Sequence, residues 1–132
     1  MAIDWYSVKA QVRNDIQFRA ENNGYVQEER ERGISILTAA LYENGVDDDQ
    51  IIRSLQKYYH VTEADAEDRL RNEKTIEFPC RKLHTYLMRE QGFSHEDSNN
   101  FIFEHNIPEL LKNNIGLWKQ TPGEILQLAE RN

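Results

Sequence analysis

Helix start and stop signals recur along this chain at short intervals, and they constrain its fold more than any other feature. Thr62-Glu63-Ala64-Asp65, Ser94-His95-Glu96-Asp97 and Thr121-Pro122-Gly123-Glu124 each set a hydroxyl three residues before a carboxylate. An apolar stretch follows each of them. In that arrangement the hydroxyl accepts from an orphan amide of the first helical turn, and the carboxylate reaches back to the cap amide. Pro79 and Pro122 stand where a first helical residue stands, and Gly45 and Gly92 where a helix ends. A chain punctuated this often folds into many short helices.

Apolar spacing fills in the segments between these signals. Trp5, Val8, Val12 and Ile16 recur at three- and four-residue steps, which predicts an amphipathic helix over 4–21, ended by Asn22-Asn23-Gly24. The charged run Glu28 to Arg32 leads into Ile34, Leu37, Ala40 and Leu41, a second helix over roughly 26–44. Gly33 within it costs helix propensity, about 1 kcal/mol against Ala. Asp47, Asp48 and Asp49 open a helix over 48–59, favourably placed on its dipole, with Ile51, Ile52, Leu55, Tyr58 and Tyr59 on one broad face. The helix at 63–73 offers only Ala66 and Leu70 as inward residues.

Thr75 to Phe78 reads as a connector before Pro79. From there Cys80, Leu83, Tyr86 and Leu87 form a stripe that stops at Gly92, with Phe93 folded back on the last turn. Phe101, Ile102 and His105 point inward on the next helix, Leu110 and Leu111 belong to a short one begun at Pro108, and Trp118 lies in the loop before Thr121. Ile125, Leu128 and Ala129 face inward on the last helix. The turn Glu43-Asn44-Gly45-Val46-Asp47 matches Glu90-Gln91-Gly92-Phe93-Ser94 at an offset of 47, so segments 35–60 and 82–107 form a weak internal repeat or two uses of one common turn.

The expected fold is therefore all-α, a compact single domain over 1–132 of about six or seven short, irregularly packed helices. The helices are too short and unequal for an up-and-down four-helix bundle. The 132 residues suit one domain, with 39 % hydrophobic and 30 % charged residues, too apolar for disorder. Sixteen basic against 23 acidic residues leave −7, which disfavours a phosphate-binding surface. Residues 1–66 hold 7 basic and 12 acidic groups, so the acid leans to the first half. One cysteine, no apolar leader and no run near the roughly 18 residues of a membrane span point to a cytoplasmic protein.

No motif carries chemistry. An EF-hand beginning at Asp47 would need glycine sixth and glutamate twelfth, where Ile52 and Tyr58 stand. Cys80 and His84 share a helix face, but with His95 and His105 they match no usual zinc spacing, and as a thiol–imidazole dyad they lack a nucleophile turn. Glycine-rich phosphate loops are absent. Residues 48–74 compare with a helix-turn-helix, yet Gln56 to His60 reads as too long a turn. A reader helix beginning Glu63-Ala64-Asp65 would also repel phosphates. The helix–Gly–Phe–helix outline at 83–105 resembles small three-helix peptide-binding modules over a single loop and names no family.

What remains is a non-enzymatic interaction or regulatory protein, an adaptor or inhibitor. It would engage another protein, such as a basic nucleic-acid-binding partner, through an acidic surface. The residues expected to carry that role are Asp47, Asp48, Asp49, Tyr58, Tyr59, Glu63, Asp65 and Trp118. The aromatics among them anchor interfaces when exposed and otherwise rim a core with their polar tips in water. No cofactor, metal, membrane or direct nucleic-acid role is expected. The alternatives are a small helical enzyme with dispersed Glu and His residues, or a helix-turn-helix-like nucleic-acid binder.

Overall fold

The computed structural model describes residues 23–131. Two compact units are distinguished, 1–36 and 37–132. The helix expected over 4–21, with Trp5, Tyr6, Val8, Val12 and Ile16, lies outside the described residues. These are all-helical, with no strand among them: α1 Asn23–Glu43, α2 Asp48–Tyr59, α3 Glu63–Asn72, a π-helical turn Glu73–Glu77, α4 Phe78–Glu90, α5 His95–Glu104, α6 Ile107–Asn113, a 3-10 turn Leu117–Lys119 and α7 Pro122–Arg131. Lengths run from 21 residues in α1 to 7 in α6, which is not an up-and-down pattern.

The capping residues work as their sequence implies. The Thr62, Ser94 and Thr121 hydroxyls accept from the amides of Asp65, Asp97 and Glu124 at 3.1, 3.0 and 3.2 Å, and the Asp47 carboxylate accepts from Gln50 at 3.0 Å. Asp65 differs from the reciprocal box. Its carboxylate goes forward to Arg69, one turn on, at 3.0 Å. At the end of α1, Gly45 adopts φ 76°, a conformation cheap only for glycine, so the amides of Gly45 and Val46 can close on the Tyr42 and Leu41 carbonyls. At the end of α4, Gly92 has φ 72° and the Phe93 amide turns back to Leu87 O at 3.0 Å.

Several expectations need correction. The helix expected from roughly 26 already begins at Asn23. In α1, Thr38 is buried, Ala40 two residues on is exposed and Ile36 faces water. Thr75 to Phe78 is no connector: the chain passes from α3 through the π turn into α4 without leaving helical geometry. The π turn, with about one extra residue per turn, packs against α6 and the 3-10 turn. The turn between α2 and α3 is three residues, His60 to Thr62, because α2 continues to Tyr59 and stops with His60 left-handed at φ 56°. Its length is thus no objection to a helix-turn-helix. The acid of α3's first turn is.

The main core gathers Leu83 and Leu87 of α4, Ile107 and Leu111 of α6, Leu117, and Ile125, Leu126 and Ala129 of α7. Tyr86, Phe93, Phe101, Ile102 and Trp118 are half-buried against it. Leu126 belongs to this core although the sequence pattern favoured Leu128, which is only half-buried. Ile51 and Leu55 of α2 and Ala66 and Leu70 of α3 are buried where those two helices pack.

Candidate functional site

Four of the seven acidic residues at 47–68, where a binding surface was expected, are held by internal partners. Asp47 is a cap. Asp48 pairs with Lys74 of the π turn, Asp65 with Arg69, and Asp68 with Arg71 at 2.9 Å. Nearby, Glu73 is 4 % exposed and is joined by Arg81, which also holds Glu43 at 2.7 Å. Burial works against the Arg81 charge, but its hydrogen bonds to Glu73 and Glu43 outweigh that, so the guanidinium is held more firmly protonated than usual. Asp49 and Glu63 remain exposed in first helical turns.

The aromatics separate. Tyr58 is exposed with Lys57 Nζ 5.3 Å from its ring, while its neighbour Tyr59 is half-buried, since adjacent helical residues point about 100° apart. Trp118 sits half-buried in the 3-10 turn and packs on the main core. It lines a groove with Ile76, Leu111 and the fully exposed Ile115. Tyr58 is not among the groups lining that groove.

A different surface lies on α5. Ser98 is fully buried, its hydroxyl donating to Ser94 O at 2.8 Å, and Phe101 packs edge-on against Phe93 at 6.1 Å between centroids. Those residues fix the inward face. Phe103 lies five positions after Ser98, about 140° round the helix, and is 84 % exposed. His105, expected inward, stays exposed: its ring stacks on Phe101 at 3.9 Å with Nδ1 3.1 Å from Phe101 O. Asn106 then takes a left-handed conformation, φ 49°, which asparagine tolerates better than most residues. That corner swings the chain into α6 with Ile107 buried and Pro108 at its first turn.

Two grooves flank this face, and Asn99 and Ile102 line both. Toward α6, a groove of about 490 Å³ is bounded by Asn99, Ile102, Phe103, Glu104, Asn106 and Pro108. Toward α4, one of about 450 Å³ is bounded by Glu77, Cys80, Arg81, His84, Thr85 and His95 as well. In the second, the His84 and His95 rings meet edge to face at 4.7 Å, His95 Nε2 lies 3.2 Å from Asn99 Nδ2, and His84 Nε2 is buried without a hydrogen-bond partner. Burial, and then the charge of Glu77, push the Cys80 thiol from 9.0 up to about 11, against a smaller opposing effect of Arg81. A thiol so protonated is a poor nucleophile. No group of His, Cys, Asp and Glu suited to a metal ion forms among the described residues, and the buried carboxylate Glu73 is held by Arg81 rather than by a histidine. No helix among them is long and apolar enough to cross a membrane.

No family model, curated protein or solved structure matches the chain. Sequence reasoning passed over the α5–α6 face, although a signal was present. From Glu90 to Leu111 the chain carries five carboxylates and no Lys or Arg. The excess acid of the first half masks this shorter, unmixed stretch.

Proposed function

We propose that the protein acts by binding another protein, as an adaptor, regulator or inhibitor, and that the outer face of α5 with the start of α6 is where it does so. The observation that carries the reading is Phe103, an aromatic side chain left 84 % exposed on the rim of a groove floored by Ile102. A scattered surface apolar residue needs no explanation. A large aromatic beside a groove and ringed by polar groups has the make-up of an interface hot spot. The surrounding charge opposes phosphate backbones and anionic lipid alike, which leaves a protein as the fitting partner. A basic nucleic-acid-binding protein suits it, since its phosphate-binding side would meet carboxylates here.

Affinity capture from cells that make the protein, at low and high salt, tests this with two variants. Phe103→Asp is expected to lose the partner, while the pair Asp49→Lys and Glu63→Lys retains it. Loss only in the second variant moves the surface to α2 and α3. Retention by both variants, with no salt dependence, ends the acidic-surface reading.

A further inference from the structure

The α5–α6 face has a chemistry that selects its occupant, and the identity of that occupant rests on the protein-binding role proposed above. Its apolar part is compact: Phe103 projects from α5, Ile102 lies half-buried beside it, and exposed Pro108 faces them from α6. Its charged part has one sign. Glu104 lines the groove, Glu96 lies two turns before Phe103 on the same side of α5, and Glu109 follows Pro108. All three are exposed, and none has an ion-pair partner among the described residues. An unpaired carboxylate rim around an apolar centre favours a partner that is apolar in the middle and cationic at its edges.

Backbone chemistry narrows the partner's shape. No strand occurs among the described residues, so this surface offers no sheet edge to pair with an extended peptide. An extended segment pressed against Phe103 would lose water from its amides and carbonyls with nothing to replace it. A helix arrives with those groups already bonded to one another. The ten residues of α5 span about 15 Å, enough to meet roughly three turns of a partner helix.

We infer that the groove between α5 and α6 binds a basic amphipathic helix of a partner protein. Apolar side chains at three- and four-residue spacing seat on Phe103, Ile102 and Pro108, and Lys or Arg on both flanks face Glu96, Glu104 and Glu109.

Fluorescence anisotropy with the full chain and labelled model peptides tests this. One peptide is a Leu/Lys helix with a continuous apolar stripe, the second a scramble of the same composition, the third a Leu/Glu helix. The striped basic helix is expected to bind, the scramble at least about tenfold more weakly, and the acidic helix not measurably. Phe103→Ala should weaken the striped peptide by about ten- to thirtyfold with an unchanged thermal midpoint. Glu104→Gln with Glu109→Gln should flatten the salt dependence. Equal binding of stripe and scramble, or indifference to Phe103→Ala, overturns the inference. If the striped peptide fails while Phe103→Asp still abolishes partner capture from cells, the helix is the wrong occupant and the protein-binding role stands. If both fail, both are wrong.

Discussion

Two acidic regions of this protein use the same residue type for opposite purposes. Around α2, α3 and the π turn, several carboxylates are tied into the fold while Asp49 and Glu63 stay exposed: Asp47 caps a helix, Asp48 holds Lys74, Asp65 holds Arg69, and Glu43 and Glu73 share Arg81. Around α5 and α6, Glu96, Glu104 and Glu109 have no ion-pair partner among the described residues, and Glu104 lines the groove beside an exposed aromatic. Density of acid along the chain therefore says little about where a cationic partner could bind. What matters is whether each carboxylate already has a partner, because a paired or capping carboxylate has little charge left to offer.

The sharpest way to break this comparison is to remove the cation that holds the first region. Arg81→Ala strands the buried Glu73 carboxylate and should cost about 2–4 kcal/mol in denaturant unfolding, reduced from the fully buried case because Arg81 itself is half-exposed. A loss below about 0.5 kcal/mol would show that Glu73 finds water, and that the first region's acid is less tightly engaged than its geometry implies. Peptide binding at α5 should be unaffected by this change at a temperature where the variant is folded.

Cys80 tests whether the α4 side of the α5 helix is chemically quiet. Its alkylation by iodoacetamide should rise with a half-point near pH 11, not near 9.0. The folded thiol keeps its proton after an unfolded one has lost it. Its contribution to stability is therefore full below the unfolded value and is lost as pH rises toward the folded one. Wild-type stability should fall more steeply than that of Cys80→Ala between those limits. Rapid alkylation at neutral pH would instead mark a reactive thiol and reopen an enzymatic reading of the Cys80–His84 groove.

Caps give smaller effects on either side of the comparison. Asp47→Ala, Thr62→Ala, Ser94→Ala and Thr121→Ala should each cost about 0.5–2 kcal/mol by chemical denaturation, and Asp47→Ala should leave peptide affinity unchanged. The smallest effect belongs to the second region's acid. Glu104→Gln should shift stability by no more than about 0.5 kcal/mol, and Glu109→Gln by no more than about 1 kcal/mol through the helix dipole, since neither carboxylate has an ion-pair partner among the described residues. A larger destabilisation would mean these groups are bound into the fold like Asp48, and the contrast between the regions would disappear.

Legibility followed the range of the interaction. The ends of α2, α3, α5 and α7 were readable because a cap joins atoms three residues apart, and the Gly45 and Gly92 turns because a left-handed residue leaves a glycine in the sequence. The π turn was not readable: Thr75-Ile76-Glu77-Phe78 carries no local marker of an extra residue per turn, and the elements packed against it, α6 and the 3-10 turn, lie far along the chain. Tyr58 and Tyr59 read as members of one broad face, and packing left only Tyr59 half-buried.

By itself, then, the sequence determined an all-helical chain, most helix boundaries and the absence of a recognisable catalytic motif, all consequences of contacts within a turn or two. Tertiary structure decided which carboxylates are engaged, because their cations stand 26 residues away for Asp48 and 38 for Glu43. The spacing already placed Phe101 and Ile102 inward; tertiary structure decided that His105 stays outside with Phe103, the third residue of that run, left 84 % exposed. The orientation of the run was set by buried Ser98 and by Phe93 folded back from the end of α4, which claimed Phe101 for the interior and turned Phe103 toward water.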